Sequence, residues 1–351
     1  MIQKFSPDEP PVQEERGWGQ EEPEVVTHDE TQPLLVLDIG CGKGGDLGKW
    51  QQAPQAVGLY VGLDPAEQSV AQARDRYIGM RRGRRPIFDA RFVAKDCFGE
   101  WIGDVPIVQE VGIDGSVGPG GNMMAARWGK TGGFDVVTMM FTMHYSFENE
   151  QKARMMLKNV AGSLKKGGRL IGVCPNSDII SSRVAAWHQK RKDEKVQSGE
   201  NGDATHASNG SSNTPPPAEE GEVEEDADDS APSPRWGNSL YNVKFTGVTP
   251  PDGVFRPATG WKYTYWMEEA VDVPEYVVPW EAFRALAEDY NLEQRYRKSF
   301  LDIWESDNND PILGPLAVRM GVRKFEGGPL NISDEEREAV GFYHAFCFTK
   351  V

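Results

Sequence analysis

The stretch VLDIGCGKGGDLGKW, residues 36–50, sets an acid, a glycine cluster and two lysines on one short turn. Its G-C-G-K-G-G portion fits the G-x-G-x-x-G pattern of loops whose backbone approaches a nucleotide closely, a pattern that alone selects neither nicotinamide nor another ligand. The acids around it select more. Asp38 lies two residues before Gly40, where a carboxylate repels a dinucleotide pyrophosphate and suits a cationic amino group. Asp64 closes the next apolar run, where an acid accepts hydrogen bonds from both hydroxyls of a ribose. Asp96 closes a third run, placed to receive an adenine amino group. Three strand-end acids around a D-x-G-x-G turn favour S-adenosylmethionine over NAD, and hence methyl transfer over hydride transfer.

The elements that must hold these residues alternate. PLLVLDIG and LYVGLD are short apolar runs ending in glycine or acid, as buried parallel strands do, and GKGGDLGKWQQ between them can start a helix. EQSVAQARDRYIGM sets Val70, Ala73 and Tyr77 at helical spacing, and RFVAKDC reads as a third strand. FDVVTMMFTMHY reads as a fourth. The next helix, ENEQKARMMLKNVAGSLKKGG, carries Ala153, Leu157, Val160 and Leu164 on one stripe with GG as its stop, and RLIGVCPN is a fifth strand. Further on come LYNVKF, a helix VPWEAFRALAEDY, a strand LEQRYRKSFLDIWE and a terminal GFYHAFCFTKV. This order predicts an α/β fold, a doubly wound, mostly parallel sheet of Rossmann-like type with ligands at the carboxyl ends of the strands.

A net charge of −16 seems to exclude a polyanionic ligand, but the acids are unevenly spread. Residues 8–30 carry −8 and residues 193–234 carry −11, leaving the rest of the chain at +3. The reading is therefore an acidic extension over 1–33 and a domain over 34–351. A disordered acidic insertion at 193–234, too poor in large apolar residues to offset its ordering entropy, interrupts that domain. GIDGSVGPGGNMMAARWGKTGG, 112–133, reads as a surface loop. No run of about 18 apolar residues occurs and no apolar signal core opens the chain, so a soluble intracellular protein without a membrane span is expected. Cys41, Cys97, Cys174 and Cys347 lie far apart with no C-x-x-C pair, which supports neither a zinc site nor a disulfide framework. RRGRR (81–85) and QKRK (189–192) are basic runs that read as solvated surface.

With these pieces in place the chain resembles the eukaryotic mRNA cap guanine-N7 methyltransferases. GCGKGGDL followed by KW, HYSFE and VDVPE in this order carry the resemblance, supported by PNSDII, WGNSLYNVKF and ISDEEREAVGFYHAFCFTK. It implies a class I S-adenosylmethionine-dependent methyltransferase. On the cofactor it implies Gly40 at the methionine end, Asp64 on the ribose, Asp96 near the adenine and Tyr145 closing the site. On the substrate it implies Lys43, Lys49 and Arg76 at the triphosphate bridge of the cap, with His144, Glu275 and Tyr343 around the guanosine. The residue types suit these tasks. Lysine and arginine neutralise phosphates, aromatic rings flank a base, and a carboxylate accepts hydrogen bonds from the guanine edge. The implied partner is 5′-capped RNA ending in GpppN, with capping enzyme or the RNA polymerase II tail as possible associates and the nucleus as location.

Two departures from the family pattern stand out. Members carry a segment of the type F-N-N-W-I-K-S before the glycine turn, and IQKFSPDE at residues 2–9 looks like its continuation, so the sequence is expected to begin just downstream of it. Met140 stands where the family usually has a glutamine facing the cofactor; it can pack on adenine but makes none of the amide's hydrogen bonds. These departures keep a catalytically weak cap- or cofactor-binding protein in view as an alternative. A small-molecule methyltransferase and a dehydrogenase rank behind it.

Overall fold

The computed structural model describes residues 1–7, 32–116, 132–197 and 232–351. In chain order these form α1 (Ile2–Phe5), β1 (Leu34–Ile39), α2 (Leu47–Trp50), β2 (Val57–Asp64), α3 (Glu67–Arg81), β3 (Asp89–Ala94), α4 (Pro106–Val111) and β4 (Phe134–Met140). There follow α5 (Glu150–Ser163), β5 (Leu164–Pro175), α6 (Ser177–Gln197), β6 (Arg235–Gly237), β7 (Tyr241–Phe245), β8 (Lys262–Met267) and β9 (Val271–Tyr276). The last are α7 (Trp280–Glu288), β10 (Leu292–Ser299), α8 (Phe300–Asp307), α9 (Leu313–Arg319), α10 (Asp334–Gly341) and β11 (Tyr343–Lys350).

Seven strands make one sheet in the order β10-β11-β5-β4-β1-β2-β3. All neighbours are parallel except β11, which runs antiparallel to both β5 and β10. The order reverses at β1 and β4, the crevice where doubly wound sheets bind ligands. Every residue of β1 is buried, as expected of a strand covered on both faces. Leu37, Val61, Val137 and Phe348 face one apolar cluster, and Val36, Tyr60, Val70 and Tyr77 a second. A second, antiparallel sheet, β6-β7-β8-β9, stands beside the first and packs Tyr263 and Tyr265 into a third cluster with Phe342 and Tyr343.

The doubly wound sheet and the α3 stripe agree with the sequence reading; several boundaries do not. The helix expected through GG stops at Ser163, and Leu164, placed on the helical stripe, opens β5 opposite Phe134. Burying Leu164 in the sheet wins over extending the helix, and the residues after it bulge before pairing resumes at Arg169. The fourth strand ends at Met140, because Phe141 turns to φ 60° and residues Met143–Glu148 coil into a 3-10 helix. Ser299 ends β10 and caps α8 by accepting from Asp302 N at 3.1 Å, so only the first half of LEQRYRKSFLDIWE is strand. The glycine turn starts a helix of only four residues.

The unit boundaries shift as well. Ile2 is buried and the Phe5 ring lies tilted against that of Tyr296 with centroids 4.7 Å apart, so the first residues of the expected extension pack on the body, while 8–31 lie outside the described residues. Helix α6 runs to Gln197, into the expected insertion, whose remainder over 198–231 is likewise outside them, as are 117–131 of the glycine-rich stretch. Among the described residues no helix is long and apolar enough to cross a membrane.

Candidate active site at the carboxyl ends of the strands

The glycine turn leaves β1 and leans on β2, with Gly40 N and Cys41 N donating to Leu63 O at 2.8 and 3.1 Å. Gly40 has φ +74°, and a Cβ there would overlap Thr142 Cγ2 and come within 2.8 Å of Thr142 Cβ. Its bare α-carbon thus accepts Thr142, which itself donates to Ile39 O at 3.1 Å. Gly42, at φ +51°, is the opposite case: nothing lies within 4 Å of its missing Cβ, so the turn presents bare backbone outward there. Asp64 clasps the turn, Oδ2 accepting from Gly42 N and Oδ1 from Ala66 N, both at 2.9 Å. Carboxylate oxygens carry further lone pairs, so Asp64 keeps acceptor capacity for a ribose.

Asp38 departs from its expected role. It is buried, with Tyr60 Oη donating to Oδ2 and Thr138 Oγ1 to Oδ1 at 2.7 Å, so it locks β1 to β2 and β4 and does not face an amino group. Burial, reinforced by Asp46, lifts its carboxyl to about 6 against the opposing hydroxyl hydrogen bonds. A raised acid pKa means that the native state holds a proton which the unfolded chain has already lost. Stability from this group therefore declines as pH rises from about 4 to about 6 and stays reduced above that. Asp38→Asn is expected to flatten that part of the stability curve, measured by urea unfolding at pH 4 and pH 7; an unchanged slope would refute it.

Asp96 sits two residues past β3, its Oδ1 accepting from Phe98 N and Gly99 N at 2.9 and 3.0 Å. Its Oδ2 accepts nothing among the described residues, leaving it for a donor such as an adenine amino group. The turn is held from below by Asn159 of α5. That fully buried amide donates to Cys97 O at 2.8 Å and Glu100 O at 2.7 Å and accepts from Ile102 N at 3.2 Å. Met140, half-buried at the end of β4, touches both the second and the third apolar clusters.

The residues expected around a guanosine converge from three elements. His144 and Tyr145 sit in the 3-10 helix with ring centroids 4.3 Å apart. Glu275 lies on β9 and faces Tyr263 across the β8–β9 ladder. Tyr263 Oη donates to Glu275 Oε2 at 2.9 Å, and His144 Nε2 stands 3.4 Å from Glu275 Oε1. His144 and Glu275 are only 2 % and 5 % exposed, yet neither ring nitrogen of His144 makes a hydrogen bond among the described residues. Buried polar atoms without partners are rare and mark places awaiting a ligand or water. Burial and then the Glu275 charge push the Tyr145 phenol up to about 12. Burial, Tyr265, Glu275 and Tyr145 also raise that of Tyr343, whose ring is edge-on to Phe141 at 5.1 Å. Tyr145, Glu275 and Tyr343 thus share one environment.

The cations stand on the glycine turn, α2 and α3. Gly44 sits against Ala73 of α3, which brings Lys43 to the helix that bears Arg76 one turn further on. Both are exposed and form no ion pair among the described residues. Lys49 is exposed too, but its ammonium already pairs with Asp46 at 2.5 Å. The structure thus brings together the guanosine group, places the three acids along the strand ends, and leaves the lysines and the arginine solvated.

Tyr263, Thr142 and Asn159 were absent from the sequence reading. The alternating aromatics of KYTYWM are the signal that marks Tyr263, whereas nothing local marks the other two.

Residues 23–202 and 214–351 match the family described as mRNA (guanine-N(7))-methyltransferase domain. The chain is 59% identical over 361 residues to the mRNA cap guanine-N(7) methyltransferase of Aspergillus fumigatus, covering 100% of this chain and 51% of that protein. Against that of Pyricularia oryzae it is 51% identical over 366 residues, covering 100% and 69%. Against that of Schizosaccharomyces pombe it is 39% identical over 325 residues, covering 92% and 70%. It spans about half the length of the Aspergillus fumigatus relative. A match across nearly the whole chain, on a doubly wound sheet with Asp64, Asp96 and His144 at or just past its strand ends and Glu275 on the neighbouring antiparallel sheet, places the chain in the mRNA (guanine-N(7))-methyltransferase domain family.

Proposed function

We propose that this chain transfers the methyl group of S-adenosylmethionine to N7 of the guanosine cap of mRNA, with capped RNA as its substrate and the nucleus as its place of action. The observation that carries the substrate side is the buried His144–Glu275 pair, whose imidazole has no hydrogen-bond partner among the described residues. The cofactor side rests on the outward-facing backbone of Gly42 and the spare acceptor capacity of Asp64 and Asp96.

When bound, the sulfonium supplies an electrophilic methyl group. Guanine N7 has a lone pair and no proton, so the chain needs no general base. Its task is to hold the two partners in line and to favour positive charge on the purine. Asp64 takes the ribose hydroxyls, Asp96 the adenine amino group, Met140 packs on the adenine and Tyr145 closes over the site. Glu275 accepts from the guanine edge, held by Tyr263, while His144 and Tyr343 flank the ring. Lys43, Lys49 and Arg76 neutralise the triphosphate, Lys49 by exchanging Asp46 for a phosphate oxygen. Association with capping enzyme or the polymerase tail belongs to the same proposal.

The test is transfer of labelled methyl from S-adenosylmethionine to GpppA, with the product mapped to N7. Label on N7 is expected. Binding of GpppA without transfer would leave a cap-binding protein, and transfer to small acceptors unaffected by cap analogues would redirect the assignment.

A further inference from the structure

Behind the guanosine group lies a polar cluster that the proposed reaction does not use. Arg297 of β10 sits opposite Phe346 of β11 and reaches the ends of several elements at once. Its Nε donates to His344 Nδ1 at 3.0 Å, and its Nη2 donates to Asn176 Oδ1 at 3.1 Å and pairs with Asp178 Oδ2 at 3.0 Å. The guanidinium carbon also stands 4.7 Å from the ring centre of Trp280. Because Nδ1 of His344 accepts, the ring proton sits on Nε2, which faces Cys174 Sγ at 3.0 Å. Burial and then the Arg297 charge hold His344 down at about 3, so this imidazole stays neutral and its tautomer fixed at neutral pH.

The atoms that Arg297 holds are those from which the guanosine pocket projects. His344 follows Tyr343 directly, and Asn176 N donates to Phe342 O at 2.8 Å. Trp280 opens α7 and donates from its backbone N to Ser177 Oγ at 3.3 Å. It lies five residues after Glu275, with Val277 and Val278 buried between them. The guanidinium therefore braces the start of β11, the end of β5, the first turn of α6 and the start of α7.

We infer that Arg297 is a positioning residue for the guanosine pocket, setting Tyr343 and Glu275 through His344, Asn176 and Trp280. It rests on the cap-methyltransferase reading above. A planar fork with donors in fixed directions is needed, since a lysine at this place supplies the charge but not the simultaneous contacts.

The test compares the unaltered chain with Arg297→Lys and Arg297→Met by direct binding of GpppA and of S-adenosylhomocysteine, together with 15N NMR of the histidine rings. Arg297→Met is expected to weaken GpppA about tenfold while leaving S-adenosylhomocysteine within about twofold, as expected for a charge-assisted network removed from one site only. The His344 ring should lose its single Nε2–H signature, and Arg297→Lys should recover only part of the affinity. Unchanged GpppA binding, parallel weakening of both ligands, or full recovery by lysine would each overturn the assignment. Failure of the unaltered chain to bind GpppA would instead bring down the pocket reading, and this inference with it.

Discussion

Glu275→Gln is expected to lower the rate of methyl transfer about 100-fold while S-adenosylmethionine affinity stays within about twofold. The size follows from what the substitution removes. A glutamine matches the volume and still accepts from Tyr263 Oη, so the β8–β9 ladder and the fold survive. The negative charge disappears from a site only 5 % exposed, where a fixed charge acts on developing charge with little solvent screening. Removing one preorganised electrostatic group from a water-excluded site typically costs about 10²- to 10³-fold, near 3 kcal/mol. On the cap reading proposed above, the amide NH2 would also meet guanine donors where the carboxylate accepts. Cofactor affinity is expected to be insulated because Asp64 and Asp96 stand at and just past the ends of β2 and β3, whereas Glu275 lies on β9 of the second sheet. Measured kcat with saturating GpppA, set beside cofactor binding by titration, separates the cases, and equal losses in both would remove Glu275 from the cap side.

Gly40→Ala should be the most damaging single methyl addition on the turn. The residue is left-handed, which costs a side-chain-bearing residue about 1–2 kcal/mol. Its new Cβ would also overlap Thr142, whose hydroxyl is tied to Ile39 O and cannot simply swing away. Overpacking of this kind costs about 1–3 kcal/mol. A total of about 3 kcal/mol and a loss of cofactor binding are expected, since a displaced Thr142 disturbs the loop leading to His144 and Tyr145. Gly45→Ala is the control, with nothing within 4 Å of its Cβ and no left-handed backbone, so it should leave the unfolding midpoint nearly unchanged. Denaturant titration of both variants decides it, and similar midpoints would show that Thr142 gives way.

The contrast between these two sites also explains what the sequence makes legible. The apolar runs of β1, β2 and β4 and the Val70, Ala73, Tyr77 stripe are local patterns, and they stand where expected. The strand-end acids follow from the same patterns, which is why Asp64 and Asp96 were identifiable. Asp38 misled because its partners depend on register: Tyr60 is diagonal to it on β2 and Thr138 directly opposite on β4, and parallel register leaves no local trace. The Glu275–Tyr263 pair is legible only once β8 and β9 are known to form a ladder, and half-exposed alternating strands of six residues carry a weak signal. His144 and Glu275 come from segments 131 residues apart, so their meeting is tertiary packing and not pattern.

The place of β11 has a consequence for how the protein is made. Strands β5 and β10 do not touch each other; both pair with β11, residues Tyr343–Lys350. During synthesis the ribosome must release residue 350 before this half of the sheet can close, and Tyr343 arrives only with that strand. Until then β5 presents an unpaired edge while more than 160 further residues emerge, a template for pairing with other chains. Between the emergence of β5 and that of β11 the nascent chain should therefore be open to wrong pairing, and pocket and sheet should be completed in the same late step.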